Sequence, residues 1–271
     1  MTAGAGDPAA VVQALRAAGC VFAEEEAALL LDAATDDTAL AGLVARRVAG
    51  EPLEQVLGWA QVAGVRVAVV PGVFVPRQRS ALLVREATAL VRAVADRAGR
   101  GAVVLDLCCG TGALGAAVLA AAGDAVAELH AADVDPVAVA CARTNLPTAQ
   151  VHEGDLWAAL PDALAGRVDV VVANAPYVPT DRIGAMPPEA RLHEARVALD
   201  GGADGLALHR RIAADAPAWL APGGALVLET SRDQAGRTRG LVAAAGLTAR
   251  VVTDEEVAGT AVVGSRGTGS R

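Results

Sequence analysis

Two patterns of apolar and polar residues divide the chain. Over residues 8–49, apolar residues recur at helical spacing, which predicts a group of helices. Pro8 suits the first turn of one helix, Glu24–Glu26 complement the dipole at the start of a second, and Asp36–Asp37 begin a third. We therefore predict a small helical domain, residues 1–52, in which no residue stands out as catalytic.

After residue 52 the apolar runs become shorter. Residues 62–75 are rich in β-branched residues and are interrupted by Gly64 and by Pro71–Gly72, which is typical of a hairpin. We predict that this hairpin belongs to a linker of residues 53–79.

From residue 80 to residue 271, strand-length apolar runs alternate with helical patterns. The predicted strands are Val103–Leu107, Glu128–Ala132, Ala149–His152, Val168–Ala173 and Ala225–Glu229, followed by an antiparallel pair at Leu247–Thr253 and Thr260–Val263. The predicted helices span about 80–98 and 206–220, and others start at Ala113, Pro136 and Asp233. This alternation indicates a doubly wound α/β fold with a mostly parallel sheet of seven strands and helices on both faces.

The composition limits the classes of function. The chain of 271 residues contains 23 basic residues, none of them lysine, and 31 acidic residues, which gives a formal net charge of −8. Because nucleic-acid binding draws on clustered cations, this balance disfavours a large nucleic-acid interface. No secretory leader or membrane span is recognisable, and the four cysteines and four histidines show no disulfide or metal-binding spacing. We expect a cytoplasmic protein without a metal.

The first strand of the alternating part runs into a glycine turn, Asp106–Gly112, with the sequence Asp-Leu-Cys-Cys-Gly-Thr-Gly. Ligands of doubly wound sheets lie beyond the carboxyl ends of the strands, and glycines permit their close approach. The spacing fits neither a dinucleotide fingerprint nor a phosphate loop. An aspartate here suits a cationic ligand, such as the sulfonium and α-amino groups of S-adenosylmethionine. The predicted cofactor-binding residues of the turn are Asp106, Cys108, Gly110, Thr111 and Gly112. A turn without a ligand is the alternative, and both cysteines of the turn are expected to pack as small apolar residues.

Two further strand ends supply candidate carboxylates. Asp133 follows the second strand about twenty residues after the glycine turn, where a carboxylate accepts hydrogen bonds from a ribose diol. Asp135, next to Pro136, suits the cap of the following helix instead. After the third strand, Asp155 and Leu156 are predicted to bind the adenine, with Asp155 accepting from its amino group; an ordinary turn is the alternative.

The fourth strand ends in the tetrapeptide Asn174-Ala175-Pro176-Tyr177, which contains the only tyrosine of the chain. The amide oxygen of Asn174 and the carbonyl of Ala175 are acceptors for the two N–H groups of a planar amino nitrogen. Such bonds orient the nitrogen lone pair and stabilise the positive charge that develops during methyl transfer. The ring of Tyr177 would pack on the planar group. We predict Asn174, Ala175, Pro176 and Tyr177 as catalytic residues, with Asn174 also at the cofactor; a strand-end turn is the alternative.

These motifs together resemble the protein-glutamine N-methyltransferase family, the HemK or release-factor glutamine methyltransferase group. The resemblance rests on residues 52–58, 71–77, 106–112, 133, 174–177, 198–206 and 228–229. Of these, Val75-Pro76-Arg77 and the Gly-Gly-Ala-Asp-Gly-Leu stretch at 201–206 are the more specific motifs. The resemblance implies a class I methyltransferase sheet behind a helical domain and hairpin, S-adenosylmethionine as cofactor, and methylation of a glutamine amide. The implied partner is a release factor with a Gly-Gly-Gln loop.

The chain also departs from that family. Ala175 replaces the first proline of the usual Asn-Pro-Pro-Tyr, and Gln78-Arg79-Ser80 replaces the usual Pro-Glu-Thr. A proline after Glu194 is also missing. Residues 78–80 lie on the expected substrate side, so these departures keep a non-catalytic paralogue open as an alternative. A second alternative is an adenine N6 methyltransferase acting on DNA or RNA, because the exocyclic amine of adenine is also planar and suits the same tetrapeptide.

Overall fold

The computed structural model describes residues 7–268, which begin with four helices. These are α1 (Pro8–Ala17), α2 (Ala23–Ala33), α3 (Asp37–Val48) and α4 (Leu53–Leu57). The side chains of Asp7 and Asp36 cap α1 and α3 by accepting from backbone N–H groups in their first turns. Leu15 and Leu30 are fully buried in the small core between these helices. The three predicted helices are therefore present, and α4 is an additional one.

A hairpin follows, formed by β1 (Trp59–Val62) and β2 (Val65–Ala68). Ala63 and Gly64 both have positive φ, 47° and 80°, as a two-residue hairpin turn requires. The prediction placed the hairpin at residues 62–75, which is wrong in its bounds. The β-branched pattern continues past β2 because Val73 and Val75 are buried without belonging to a strand.

The remaining strands form one sheet of seven, in the order β5-β4-β3-β6-β7-β9-β8. They are β3 (Ala102–Leu107), β4 (Val126–Asp133), β5 (Gln150–Glu153), β6 (Val168–Ala173), β7 (Leu220–Glu229), β8 (Thr248–Asp254) and β9 (Gly259–Ser265). All neighbours are parallel except β9, which pairs antiparallel with β7 and β8. The predicted doubly wound sheet of seven strands is confirmed.

Helices cover both faces of this sheet. They are α5 (Ala81–Ala98), α6 (Ala113–Ala122), α7 (Pro136–Asn145), α9 (Ala207–Trp219) and α10 (Ala235–Ala244), while a short helix, α8 (Pro188–His193), lies in the segment between β6 and α9. Every residue of β3 and β6 is buried, as expected for central strands covered on both sides. Alternate residues of the central strands β3, β6 and β7 join one of two apolar clusters, one on each face. None of the helices within residues 7–268 has the length and hydropathy to cross a membrane.

The strand order fixes where a ligand fits. After β3 the chain adds β4 and β5 on one side, and it then returns to add β6 and β7 on the other. The order therefore reverses between β3 and β6, which pair in register with Leu107 opposite Ala173. Their carboxyl ends form the crevice where ligands of open α/β sheets bind.

Candidate functional site

A cavity of about 320 Å³ lies at this switch point. Most of the predicted site residues line it: Cys108, Gly110, Thr111, Asp133, Asp155, Leu156, Asn174 and Pro176. Asp106 and Gly112 do not reach its wall, and Ala175 and Tyr177 line a second cavity next to it. The structure thus brings together residues from the ends of four strands that are up to about seventy positions apart in the sequence.

The glycine turn uses backbone angles that L-residues rarely adopt. Cys108, Gly110 and Gly112 have φ of 59°, 53° and 77°. A Cβ on Gly110 would have no atom within 4 Å, whereas one on Gly112 would lie 2.8 Å from Cδ1 of Leu146. Gly110 therefore leaves space open at the cavity, and Gly112 allows close packing under it. The positive φ of the non-glycine Cys108 is costly, and such strain is found preferentially at ligand sites.

Asp106 lies buried beneath the turn. Its Oδ2 accepts from the N–H of Gly115 at 2.8 Å, while its Oδ1 has no partner among the described residues. Burial raises the pKa of Asp106 to about 8, with a small further increase from the neighbouring Asp133. The carboxyl group therefore lies below the turn and not in the wall of the cavity, where it can interact electrostatically with a cation bound above it.

Asp133, the last residue of β4, joins the turn to the neighbouring strand. Its Oδ2 accepts from the N–H of Gly110 at 2.8 Å, and its Oδ1 accepts from the N–H of Asp135 at 3.0 Å. Burial raises the pKa of Asp133, although these backbone donors oppose the shift. Each carboxylate oxygen retains a free lone pair, so the group can still accept from a diol. Asp135 caps α7 by accepting from the N–H of Val137 at 2.9 Å, as predicted.

Residues after β5 form another part of the cavity wall. Leu156 is buried with φ of 52°, a second strained non-glycine residue of the site. Asp155 is exposed, and its Oδ2 accepts from Nη2 of Arg211 at 2.7 Å. Arg211, on α9, lines the cavity too but was not predicted, because nothing in the local sequence distinguishes it from other exposed arginines of helices.

The tetrapeptide after β6 separates the first cavity from a second one of about 240 Å³. Asn174 and Pro176 line both cavities, and Ala175 and Tyr177 line the second. The replacement of proline by Ala175 leaves this arrangement in place, with the Ala175 side chain fully buried. The loop is therefore the junction at which a group bound in one cavity meets a group bound in the other.

A buried carboxylate, Glu229 at the end of β7, binds Tyr177 of this loop and two residues that follow the hairpin. Its Oε1 accepts from Nε of Arg79 at 3.0 Å and from the hydroxyl of Tyr177 at 3.2 Å. Its Oε2 accepts from the hydroxyl of Ser80 at 2.5 Å. Glu229 was noted only as part of the family resemblance, and Arg79 and Ser80 only as a departure from it. Their role as partners of the loop depends on strand order and was not recognised from the sequence.

The tyrosine, cysteine and histidine side chains around the loop are poor bases and nucleophiles. Burial raises the pKa of Tyr177, with a further increase from the neighbouring Glu229, and burial also raises the pKa values of Cys108 and Cys109. His209 is buried with its ring centroid 6.1 Å from that of Tyr177, and burial lowers its pKa to about 4. Within residues 7–268 no cluster of metal-binding side chains is found. The arrangement suits binding and orientation rather than proton abstraction.

Comparisons with known proteins extend this picture. The family model described as Methyltransferase small domain matches residues 65–256. A release factor glutamine methyltransferase of Geobacter sulfurreducens is 37% identical over 209 residues, which cover 76% of this chain and 69% of the relative. A 4-amino-L-phenylalanine/4-methylamino-L-phenylalanine methyltransferase of Streptomyces pristinaespiralis is 35% identical over 220 residues, 78% of this chain and 74% of the relative. A solved structure of a release factor-specific protein-(glutamine-N5) methyltransferase from Alicyclobacillus acidocaldarius is 24% identical with a TM-score of 0.43, covering 71% of this chain and 94% of that chain.

The domain match, the sheet order and the cavity at the switch point define the class: the protein is an S-adenosylmethionine-dependent methyltransferase. The chain belongs to the release factor glutamine methyltransferase family, since it matches the Geobacter sulfurreducens member over more than two thirds of both chains. The predicted family, enzyme class and cofactor are confirmed. The non-catalytic alternative is set aside.

Proposed function

We propose that the protein transfers a methyl group from S-adenosylmethionine to the side-chain amide nitrogen of a glutamine in a release factor, within its Gly-Gly-Gln loop. The observation that carries the proposal is the position of Asn174, which lines both the cofactor-sized cavity and the second cavity. A nitrogen held at Asn174 from the second cavity would face the first one. The names of relatives such as the Geobacter sulfurreducens enzyme support glutamine as the target.

The residues of the first cavity fit the cofactor. We assign the ribose diol to Asp133, the adenine to Asp155 and Leu156, and the amino-acid end to the open space at Gly110 and its neighbour Thr111. The unpaired Oδ1 of Asp106 lies below this end and favours a cationic ligand. Cys108 and Gly112 shape the turn without supplying polar contacts.

When bound, the cofactor supplies an electrophilic methyl group, and the chain's own residues position the nitrogen that receives it. Asn174 Oδ1 and the carbonyl of Ala175 would accept the two N–H groups of the amide, turning its lone pair toward the first cavity. Hydrogen bonds to a group that becomes charged contribute roughly 1.5–3 kcal/mol each. Tyr177 would pack against the planar amide. The methylated nitrogen is acidic and gives its proton to water, so the transfer needs no base from the loop.

Methyl transfer from radiolabelled cofactor to purified release factors tests the proposal. We expect label in the wild-type release factor and none in a variant whose Gly-Gly-Gln glutamine is replaced by glutamate. Ribosomal proteins and DNA are incubated in parallel. Label in DNA would support the adenine alternative, and label in another protein would keep the amide chemistry while contradicting the release factor as target.

A second candidate substrate is a small aromatic amine that carries a carboxylate. The second cavity is lined by Phe74 and Tyr177 together with two arginines, Arg77 and Arg79. Arg79 donates Nε to Glu229 at 3.0 Å, and its guanidinium lies beside Tyr177, with Cζ 5.9 Å from the ring centroid. A guanidinium pairs well with a carboxylate. The activity named for the Streptomyces pristinaespiralis relative, on an amino acid with an aromatic amine, supports this candidate.

Paired substrates test this second candidate. Transfer to 4-amino-L-phenylalanine is compared with transfer to its carboxamide, for the wild type and for Arg79→Gln. If the carboxylate binds Arg79, the variant should raise the Michaelis constant of the acid about tenfold or more and leave that of the carboxamide nearly unchanged. Equal changes for both substrates, or no transfer to either, would rule the candidate out.

A further inference from the structure

The side chain of Ser80 connects Asn174, in the loop after β6, to the buried carboxylate of Glu229 at the end of β7. Asn174 Nδ2 lies 3.4 Å from the hydroxyl oxygen of Ser80, and that oxygen lies 2.5 Å from Oε2 of Glu229. Ser80 and Glu229 are 2% and 1% exposed, so water does not compete for these bonds. Ser80 also lines the first cavity beside Asn174.

The direction of each hydrogen bond follows from the chemistry of the groups. A carboxylate only accepts, and Glu229 already receives Nε of Arg79 and the hydroxyl of Tyr177 on its Oε1. The Ser80 hydroxyl therefore directs its only proton to Oε2 and presents lone pairs to Asn174. Only the NH2 side of an amide can donate to those lone pairs. Asn174 must then turn Nδ2 toward Ser80 and Oδ1 away from it.

We propose that Ser80 is a positioning residue that selects this orientation of the Asn174 amide. A flipped amide would present its NH2 group to the N–H groups of the substrate, donor against donor, and the loop would lose one of its two acceptors. The inference rests on the proposed methylation of a planar nitrogen. It holds equally for a glutamine amide and an aromatic amine, because both offer two N–H groups to the loop.

Substitutions of Ser80 test the role. Ser80→Ala should lower kcat about tenfold, the value of one hydrogen bond realised in the transition state, while the Kd of the cofactor stays within threefold. Ser80→Thr keeps the hydroxyl and should restore kcat. The control is Thr88→Val, which removes a buried hydroxyl of α5 that has no partner within the described residues and should leave kcat unchanged.

Reversing the direction of the hydrogen bonds that join Glu229, Ser80 and Asn174 gives a stronger test. In Glu229→Gln, Arg79 and Tyr177 hold the amide oxygen, so the new NH2 group faces Ser80 and donates to it. The Ser80 proton is then free to donate to Asn174, which favours the flipped amide. We expect kcat to fall as far as in Ser80→Ala, and the double variant to be no worse than either single variant, since both act through the same orientation.

The side-chain amide signals of Asn174, assigned by their loss in Asn174→Asp, provide a readout that needs no substrate. In the wild type one amide proton should exchange slowly; Ser80→Ala should abolish this protection and Ser80→Thr should keep it. Unchanged protection in Ser80→Ala overturns the inference, and so does lost protection with unchanged kcat. If the wild type methylates neither a release factor nor 4-amino-L-phenylalanine, the proposed function fails, while the amide signals still decide whether Ser80 orients Asn174.

Discussion

Two buried carboxyl groups near the site differ in how many hydrogen-bond donors surround them. Glu229 receives three donors, from Ser80, Arg79 and Tyr177, and so holds the loop as a charged acceptor. Asp106 receives one, from Gly115, and leaves Oδ1 unpaired. The first group serves orientation. The second retains an unused capacity for a positive charge, which fits a site for a sulfonium cofactor.

The protonation of Asp106 predicts a pH dependence of stability. Its pKa is raised to about 8 in the folded state, above the unfolded value, so the native state keeps a proton that the unfolded chain releases. Stability is thus lost as pH rises from about 4 to 8. Asp106→Asn removes this loss and should gain about 1–3 kcal/mol in unfolding free energy, relative to wild type, between pH 5 and pH 8.

Urea unfolding of both proteins at the two pH values measures this gain. Asp169→Asn is the control, because Asp169 is equally buried but accepts from both Nη atoms of Arg100 at 2.7 and 2.9 Å. It should lose stability at both pH values. A constant difference between Asp106→Asn and wild type would show that Asp106 is ionised when folded.

At the scale of elements, helix caps and apolar runs in the sequence predicted where individual helices and strands begin and end. Pro136 with its cap Asp135 started α7 as expected, and β6 ended at Ala173, just before Asn174, as expected. The five-residue helix α4 was missed because it is too short to show a helical period. The partners Ser80 and Glu229 were missed because only the pairing of distant strands brings them to the loop. The assigned roles of the site residues remain predictions.

The two glycines of the turn between β3 and α6 should respond differently to alanine. At Gly112 a Cβ would lie 2.8 Å from Leu146, so Gly112→Ala should destabilise the fold by about 1–3 kcal/mol through strain and overpacking. At Gly110 the space is open, and the positive φ alone should cost about 1 kcal/mol. Gly110→Ala should instead weaken cofactor binding, because its methyl group occupies the cavity wall.

Thermal unfolding and cofactor titration separate the two effects. An unchanged Tm in Gly112→Ala would show that the turn relaxes around the added methyl group. An unchanged Kd in Gly110→Ala would show that the cofactor does not use the space at Gly110.

At the scale of the whole molecule, Arg47 joins the N-terminal helices to the segment beside the second cavity. It is 7% exposed and donates to Glu26 on α2 at 2.6 Å and to Glu189 on α8 at 2.7 Å. Glu189 lines the second cavity. This contact spans more than 140 residues of sequence, and neither α8 nor the partner of Arg47 was predictable from the chain alone.

Removal of Arg47 should therefore lower the stability of the fold. Arg47→Leu leaves Glu26 buried without its partner, and we expect a loss of about 3–5 kcal/mol in unfolding free energy. Arg16→Leu, which breaks the exposed pair with Glu24 in the same group of helices, should cost at most about 1 kcal/mol. Urea unfolding measures both. Equal losses of unfolding free energy in the two variants would mean that Arg47 is not an important link between the N-terminal helices and α8.

In the proposed mechanism, the loop Asn174–Tyr177 holds the nitrogen that accepts the methyl group. Its most direct test is single-turnover methyl transfer to a release factor by wild type and by Asn174→Ala, with the Kd of the cofactor measured on the same samples. We predict a rate at least about a hundredfold lower for the variant, with the Kd changed no more than about threefold. An unchanged rate would contradict the claim, and so would a lower rate explained entirely by lost cofactor binding.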